Sequence, residues 1–116
     1  MKIRLLIIMT IMAAGQARAA QKVMPCTSWS ESMAAVKLKN AGYLSEEELA
    51  APKISSRVLA FQKVRTDLYR EVFYMTFTRK NGVRINVITR NDMTPTECSG
   101  SGVEVFMVSK TLGAEP

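Results

Sequence analysis

A stretch that begins at Phe77, FTRKNGVRINV, carries an Asn-Gly dipeptide between two alternating segments, which is the strongest short-range signal for a β-hairpin. A two-residue turn would pair Phe77 with Asn86 and mix aromatic with arginine side chains on one face. A three-residue loop, with Gly82 in the left-handed conformation, pairs Phe77 with Ile85 instead. Because register follows the face that must be buried, the sequence predicts the three-residue loop. The buried face then consists of Phe73, Met75, Phe77, Val83, Ile85 and Val87.

The opposite face of this hairpin is expected to meet solvent, because a single long helix covers only one side of a sheet. An aromatic ring, arginines and hydrogen-bonding side chains lie together on it, and these residue types are enriched at binding hot spots. The alternative is an ordinary solvated sheet face, on which threonine and arginine are common. The side chains predicted to contact a partner are Tyr74, Thr76, Arg84, Asn86 and Arg90.

Helical patterns precede the hairpin. Apolar residues recur at helical spacing over residues 29–41, with Ser28 and Glu31 as a predicted capping box and Gly42 at the left-handed position after the helix. A second capping pattern, Ser45 followed by three glutamates, predicts a short helix that a proline ends. We expect these glutamates to be solvated, because they suit the positive end of the helix dipole.

The rest of the chain has strand-like composition, rich in β-branched and aromatic residues. Residues 91–96 are a predicted turn-rich connection. These elements predict an α+β domain, in which an N-terminal helix and a short second helix pack on one face of a four-stranded antiparallel sheet with one disulfide. The predicted strands are 57–66, 69–78, 83–90 and 103–108.

Residues 1–19 have the pattern of a secretory signal peptide that is cleaved. Lys2 and Arg4 form a basic start, residues 5–14 are apolar except for Thr10, and Ala-Arg-Ala at 17–19 offers small residues at the cleavage site. An uncleaved anchor is the alternative. The apolar run is about ten residues, whereas a membrane-spanning helix needs about 20, so we expect no integral membrane segment after cleavage.

Cleavage would leave a single domain at 20–112 and a flexible tail at 113–116, located in the periplasm or secreted. Loss of the three basic residues of the signal lowers the net charge from +6 to +3. A charge of +3 on an exported domain is not the footprint of a nucleic-acid-binding protein, and we predict no nucleic-acid partner.

Cys26 and Cys98 are the only two cysteines, and a pair in a small exported domain most often forms one disulfide. Their bridge would close a loop of about 73 residues and stabilise the fold by about 4 kcal/mol in the chain-entropy account. Lipidation of Cys26 is the alternative. The preceding Val-Met-Pro lacks the small residues that a lipoprotein signal places before its cysteine.

The sequence contains no histidine, which excludes histidine-based catalytic triads and histidine-ligated metal sites. If both cysteines are bonded, a thiol nucleophile is excluded as well. We therefore predict a non-enzymatic protein with no metal and no cofactor. Carboxylates are still available for acid–base chemistry, but they form no recognisable motif: Asp67, Glu71, Asp92, Glu97 and Glu104.

Three segments, PCTSWSESMAAVKLKNAGYL, FYMTFTRKNGVRINVITR and TECSGSGVEVFMVSK, follow one another in an order and spacing that resemble a known family. It is the family of small exported proteins that contains the colicin M immunity protein and YebF. The resemblance implies an α+β periplasmic domain with one disulfide that acts by binding a protein. It supplies no binding residues here, because the charged residues that follow the helix in that family have no clear match.

The leading hypothesis is an exported protein-binding domain of the immunity or inhibitor kind, which binds a protein partner through the open sheet face. A second hypothesis is an accessory protein of envelope assembly or of a conjugation or secretion system, in which an exposed strand edge at 57–66 or 103–108 pairs with another chain. The third is a small hydrolase that uses carboxylates.

Overall fold

The computed structural model describes residues 22–108, so the predicted signal peptide and the predicted tail lie outside the described residues. The sheet has the order β1-β2-β3-β4, and each strand is antiparallel to its neighbour, which confirms the α+β class with a four-stranded meander. The elements are α1 (Thr27–Asn40), α2 (Glu46–Ala50), β1 (Lys53–Arg65), β2 (Leu68–Thr78), β3 (Arg84–Met93) and β4 (Glu104–Val108).

The hairpin between β2 and β3 has the predicted register. Phe77 lies opposite Ile85 and Met75 opposite Val87. Gly82 has a φ of +84°, the left-handed conformation that the three-residue loop requires. The prediction that Val83 is buried is wrong, because this residue precedes β3 beside the turn and is 52% exposed.

Alternate residues of β2 and β3 are buried, which is the pattern of a sheet with one face in the core. Burial of each large apolar side chain contributes about 1.5–3 kcal/mol. Residues of α1 and of the sheet, with Leu44 between the helices, belong to one core cluster: Ala34, Ala35, Leu38, Leu44, Phe73, Met75, Phe77, Ile85 and Val87. Leu49 of α2 packs against this cluster. We call the other side of the sheet, which carries the even-numbered residues of β2 and β3, the open face.

Helix α1 starts at Thr27, and its N-cap is Cys26. The predicted capping box at Ser28 is therefore wrong. Ser28 lies inside the helix, and Glu31 accepts a hydrogen bond of 2.9 Å from the Ser56 hydroxyl instead of capping. The helix begins earlier because tertiary contacts hold Cys26: it is bonded to Cys98, and its backbone N–H donates to Glu71 Oε2 at 2.9 Å.

The end of α1 matches the prediction. Gly42 has a φ of +87°. Its N–H donates to the Lys39 carbonyl at 3.0 Å, and the Tyr43 N–H donates to the Leu38 carbonyl at 2.8 Å. These two bonds form a Schellman motif, which satisfies carbonyls that the helix end would leave unpaired.

Helix α2 has the predicted capping box: the Glu48 N–H donates to Ser45 Oγ at 3.1 Å, and the Ser45 N–H donates to Glu48 Oε1 at 3.0 Å. The expectation that all three glutamates are solvated is wrong for Glu48, which is 8% exposed.

Two strand boundaries also differ from the prediction. β1 begins at Lys53, four residues early, and β3 extends to Met93, so half of the predicted connection at 91–96 is strand. β3 continues because Asn91 and Met93 are buried and so prolong the alternation of buried and more exposed residues along the strand.

Cys26 and Cys98 form the predicted disulfide, with Cα atoms 5.7 Å apart and a sequence separation of 72. Between residues 22 and 108, no helix has the length and apolar character needed to span a bilayer.

Candidate functional site

One row of side chains crosses all four strands on the open face. The strand registers place Arg57 opposite Tyr74, Tyr74 opposite Ile88, and Ile88 opposite Phe106. Directly opposite residues in neighbouring strands have Cβ atoms about 5 Å apart, so these side chains are cross-strand neighbours on one face. We call Arg57, Tyr74, Ile88 and Phe106 the cross-strand row.

Arginine side chains lie over both aromatic rings of the row. The guanidinium carbon of Arg57 is 5.0 Å from the centre of the Tyr74 ring, and that of Arg90 is 5.9 Å from the centre of the Phe106 ring. Arg90 Nη2 also lies 2.7 Å from Glu104 Oε1. A cation–π contact at an exposed site contributes about 0.5–1 kcal/mol, so these contacts orient the arginines on the face.

A second pair of opposite residues lies next to the row. Thr76 is opposite Asn86, and its hydroxyl donates to Asn86 Oδ1 at 2.8 Å. Thr76 and Tyr74 line one side of a shallow depression of about 440 Å³, with Ser55 and Arg57 on the other side. The face therefore combines an apolar centre with hydrogen-bonding groups at its side.

The structure places all five predicted partner-binding residues on the open face, and it brings Tyr74, Thr76 and Asn86 together. Arg84 and Arg90 are exposed at opposite parts of β3, about 20 Å apart along the strand, so they flank the centre and do not form one cluster.

Sequence reasoning missed Arg57 and Phe106. The alternation of β1 could not be assigned, because a bulge between Val58 and Ala60 inserts one extra residue, Leu59, and shifts the facing of the residues after it. Phe106 was missed because the register of β4 depends on pairing with β3, which no local signal in β4 specifies.

A buried polar cluster lies at the start of α1, on the core side of the sheet. Glu71 is completely buried, and its Oε1 accepts a hydrogen bond of 3.2 Å from Asn91 Nδ2 and one of 3.5 Å from the Ser30 hydroxyl. Its Oε2 accepts the Cys26 N–H, and Ser30 Oγ lies 3.0 Å from Asn91 Oδ1. We call Glu71, Ser30, Asn91 and the Cys26 N–H the Glu71 cluster.

Burial raises the pKa of Glu71 above its ordinary value of 4.5, and the bonds from Cys26, Asn91 and Ser30 oppose that shift. Because the carboxylate is enclosed, a substrate in solvent has no direct contact with it. We interpret the cluster as a structural link among α1, β2, β3 and the disulfide. The alternation of β2 gave a signal for the burial of Glu71, because odd-numbered residues of this strand, such as Phe73 and Met75, face the core.

A second carboxylate joins α2 to the hairpin loop. Glu48 Oε1 is 3.0 Å from Arg79 Nη2, and its Oε2 accepts the Lys80 N–H at 3.0 Å. The Arg79 side chain, followed by the N–H groups of Ser45 and Lys80, lowers the pKa of Glu48 from 4.5 to about 2. An apolar cavity of about 300 Å³ lies beside this contact, with Phe77 in its wall.

Among residues 22–108, no group of three or more carboxylate or cysteine side chains is arranged to hold a metal ion. A scan against protein-family models and searches among curated proteins and solved structures found no match to this chain. The resemblance to the colicin M immunity protein family therefore stays a prediction, and the functional argument depends on the geometry of the open face.

Proposed function

We propose that this protein is an exported, non-enzymatic protein-binding domain of the immunity or inhibitor kind, which captures a protein partner with the open face of its sheet. The observation that carries the proposal is the cross-strand row. In it, the exposed Phe106 and the half-buried Tyr74 lie in one line with Arg57, which is at the β1 end.

In the proposed arrangement both helices lie against the opposite face. The hydrogen bonds of Ser30 in α1 to Glu71 and Asn91 support that arrangement. The packing of Leu49 in α2 against the core cluster supports it as well.

The row has the composition of a binding hot spot, in which aromatic and arginine side chains supply most of the affinity. Phe106 is 48% exposed, although its neighbour Ile88 is half-buried. Because an aromatic side chain can bury 150–250 Å², covering the exposed half of Phe106 would contribute about 2 kcal/mol to binding. Phe106 would anchor the interface at the β4 end of the row, and Tyr74 would extend it toward β1.

The charges of the open face define the partner surface. Two basic side chains are already paired with carboxylates on the same face, Arg70 with Asp92 at 3.0 Å and Arg90 with Glu104 at 2.7 Å. The open face also carries four further basic residues, and complementarity therefore favours an acidic partner surface. These four are Lys53, Arg57, Arg65 and Arg84.

The disulfide supports the proposed location outside the cytoplasm, because such bonds persist in oxidising compartments. The signal-like pattern of residues 1–19 also supports export from the cytoplasm. We propose the periplasm or the extracellular space as the place where the partner is met.

The test is affinity capture from envelope and culture extracts on the immobilised, oxidised protein. We expect a specific protein to bind the native domain and to be lost on Arg84→Glu with Arg90→Glu, while the thermal midpoint stays within a few degrees. The matched control is Lys22→Glu with Lys63→Glu, which changes the charge equally at exposed positions outside the open face. Equal retention of the partner by the arginine variant, or equal loss in the control, would contradict the proposal.

A second candidate function is the accessory role in envelope assembly or in a conjugation or secretion system. The strand order favours it, because β1 and β4 are the two outer strands of the sheet and each has an edge for another chain.

A further inference from the structure

The two outer strands are unequal as pairing templates. β1 has 13 residues, whereas β4 has five. Within residues 22–108, the sheet order leaves β1 hydrogen-bonded to β2 on one side only. An edge of this length offers a row of backbone donors and acceptors to an added strand, and such addition is a recurrent mode of peptide recognition.

Irregularities divide this edge. The pairing of β1 with β2 is continuous from Lys53 to Val58, shifts between Val58 and Ala60, and shifts again between Lys63 and Arg65. A bulge limits indiscriminate edge-to-edge pairing. The longest regular run, Lys53–Val58, is therefore the part of the edge best suited to an added strand.

The charge of β1 has a single sign. Its sequence, KISSRVLAFQKVR, contains four basic residues and no acidic residue. All four are exposed, and none forms a salt bridge within the described part of the chain. They are Lys53, Arg57, Lys63 and Arg65.

This positive charge distinguishes the strands that could pair with the edge of β1. Two copies of the chain paired through β1 would bring four positive charges against four others, and like charges on opposite strands are destabilising. An acidic strand paired with Lys53–Val58 would place carboxylates near Lys53 and Arg57, which lie on the same face of β1. Apolar surface is also available along the edge, because Val58, Leu59 and Val64 are each 46% exposed.

We propose that the free edge of β1 accepts an extended strand of a partner protein in which acidic residues alternate with apolar or threonine residues. Backbone hydrogen bonds to Lys53–Val58 supply the pairing, and Lys53 and Arg57, which lie on one face of that run, select the acidic sequence. This proposal rests on the second candidate function, and it uses an edge of the sheet where the leading proposal uses the face.

The test uses a defined probe, the acetylated and amidated peptide EVETEVETE, titrated into the full oxidised protein. Binding is followed by isothermal calorimetry, and the backbone amides that it protects are located by hydrogen exchange. Two control peptides separate the contributions: KVKTKVKTK reverses the charge, and EVETEVETE with alternate amides N-methylated keeps the charge but removes strand donors.

We expect protection of amides in β1 and affinity at least about tenfold weaker for each control peptide. Lys53→Glu with Arg57→Glu, both within the paired run, should weaken binding of the acidic peptide about tenfold, whereas Lys22→Glu with Lys37→Glu leaves it nearly unchanged. Circular dichroism and the thermal midpoint verify that each variant is folded.

Three results would overturn the proposal: no protection in β1, equal binding of the N-methylated peptide, or equal loss of affinity in both charge variants. Arg84→Glu with Arg90→Glu distinguishes the two proposals. This variant should still bind the acidic peptide at the β1 edge, although it no longer binds a protein partner through the open face.

Discussion

The buried carboxylate of Glu71 gives the sharpest test of how this fold is stabilised. In Glu71→Ala, the Cys26 N–H loses its acceptor inside the protein, whereas Ser30 and Asn91 still contact each other. An unsatisfied buried donor costs about 1–3 kcal/mol, and the cavity left by the shortened side chain adds about 1–2 kcal/mol. Removal of a buried charge offsets part of this cost, so we expect a net destabilisation of about 2–4 kcal/mol.

Glu71→Gln separates the charge from the shape of the side chain. The glutamine Oε1 can accept the Cys26 N–H, and its amide can donate to Asn91 Oδ1 if the Asn91 side chain rotates. The rotated Asn91 amide then donates to the Ser30 hydroxyl, at the expense of its long contact of 3.5 Å with the Cys98 carbonyl, and no charge is left in the buried cluster. We therefore expect this variant to be at least as stable as the native protein at neutral pH.

The two proteins should differ in their pH dependence. Because the pKa of Glu71 is raised in the folded state, its contribution to stability is fully present below 4.5 and is lost as the pH rises through the folded-state pKa. Glu71→Gln has no such loss. The advantage of the glutamine variant over the native protein should therefore grow as the pH rises from 4 toward 7.

Thermal unfolding followed by circular dichroism between pH 4 and pH 8, with the disulfide intact, measures both effects. For a domain of this size, 1 kcal/mol corresponds to about 4–8 °C, so a loss of about 2–4 kcal/mol in Glu71→Ala should lower the midpoint by at least about 8 °C. A midpoint of Glu71→Ala within about 2 °C of the native value would refute the reasoning. So would a difference between the glutamine variant and the native protein that is independent of pH.

Two further variants test local contacts. The contact with Arg79 lowers the pKa of Glu48, so this carboxylate contributes stability above pH 4.5 that is lost as the pH falls toward about 2. Glu48→Gln should remove that pH-dependent contribution. Glu46→Gln, at an exposed position and measured over the same pH range, should leave it intact. Gly82→Ala should destabilise the fold by about 1–2 kcal/mol in urea unfolding, because alanine is strained at a φ of +84°. Gly102→Ala, where an added Cβ meets open space without a positive φ, should change stability little, and an equal loss in both glycine variants would contradict the explanation.

Local signals in the sequence determined several elements of this protein. The hairpin loop and its register follow from Asn-Gly and the alternation beside it, because only one register buries the apolar set. The Schellman motif at Gly42 and the capping box at Ser45 involve residues within one helical turn. The disulfide followed from the presence of two cysteines.

Local sequence signals predicted only part of the candidate site. Alternation in β2 and β3 placed Tyr74, Thr76 and Asn86 on one face, since side chains of a strand point alternately to its two sides. Arg57 and Phe106 complete the cross-strand row only through the bulge of β1 and the pairing of β4, which join residues far apart in the chain.

Tertiary structure alone decided the start of α1 and the role of Glu71. Ser28 had the local signal of a cap, but the disulfide and the bond from the Cys26 N–H to Glu71 hold the helix start at Cys26. A carboxylate in a strand is ordinarily solvated. Glu71 is buried because Ser30 and Asn91, 41 and 20 residues away, supply hydrogen bonds that only the folded chain brings together.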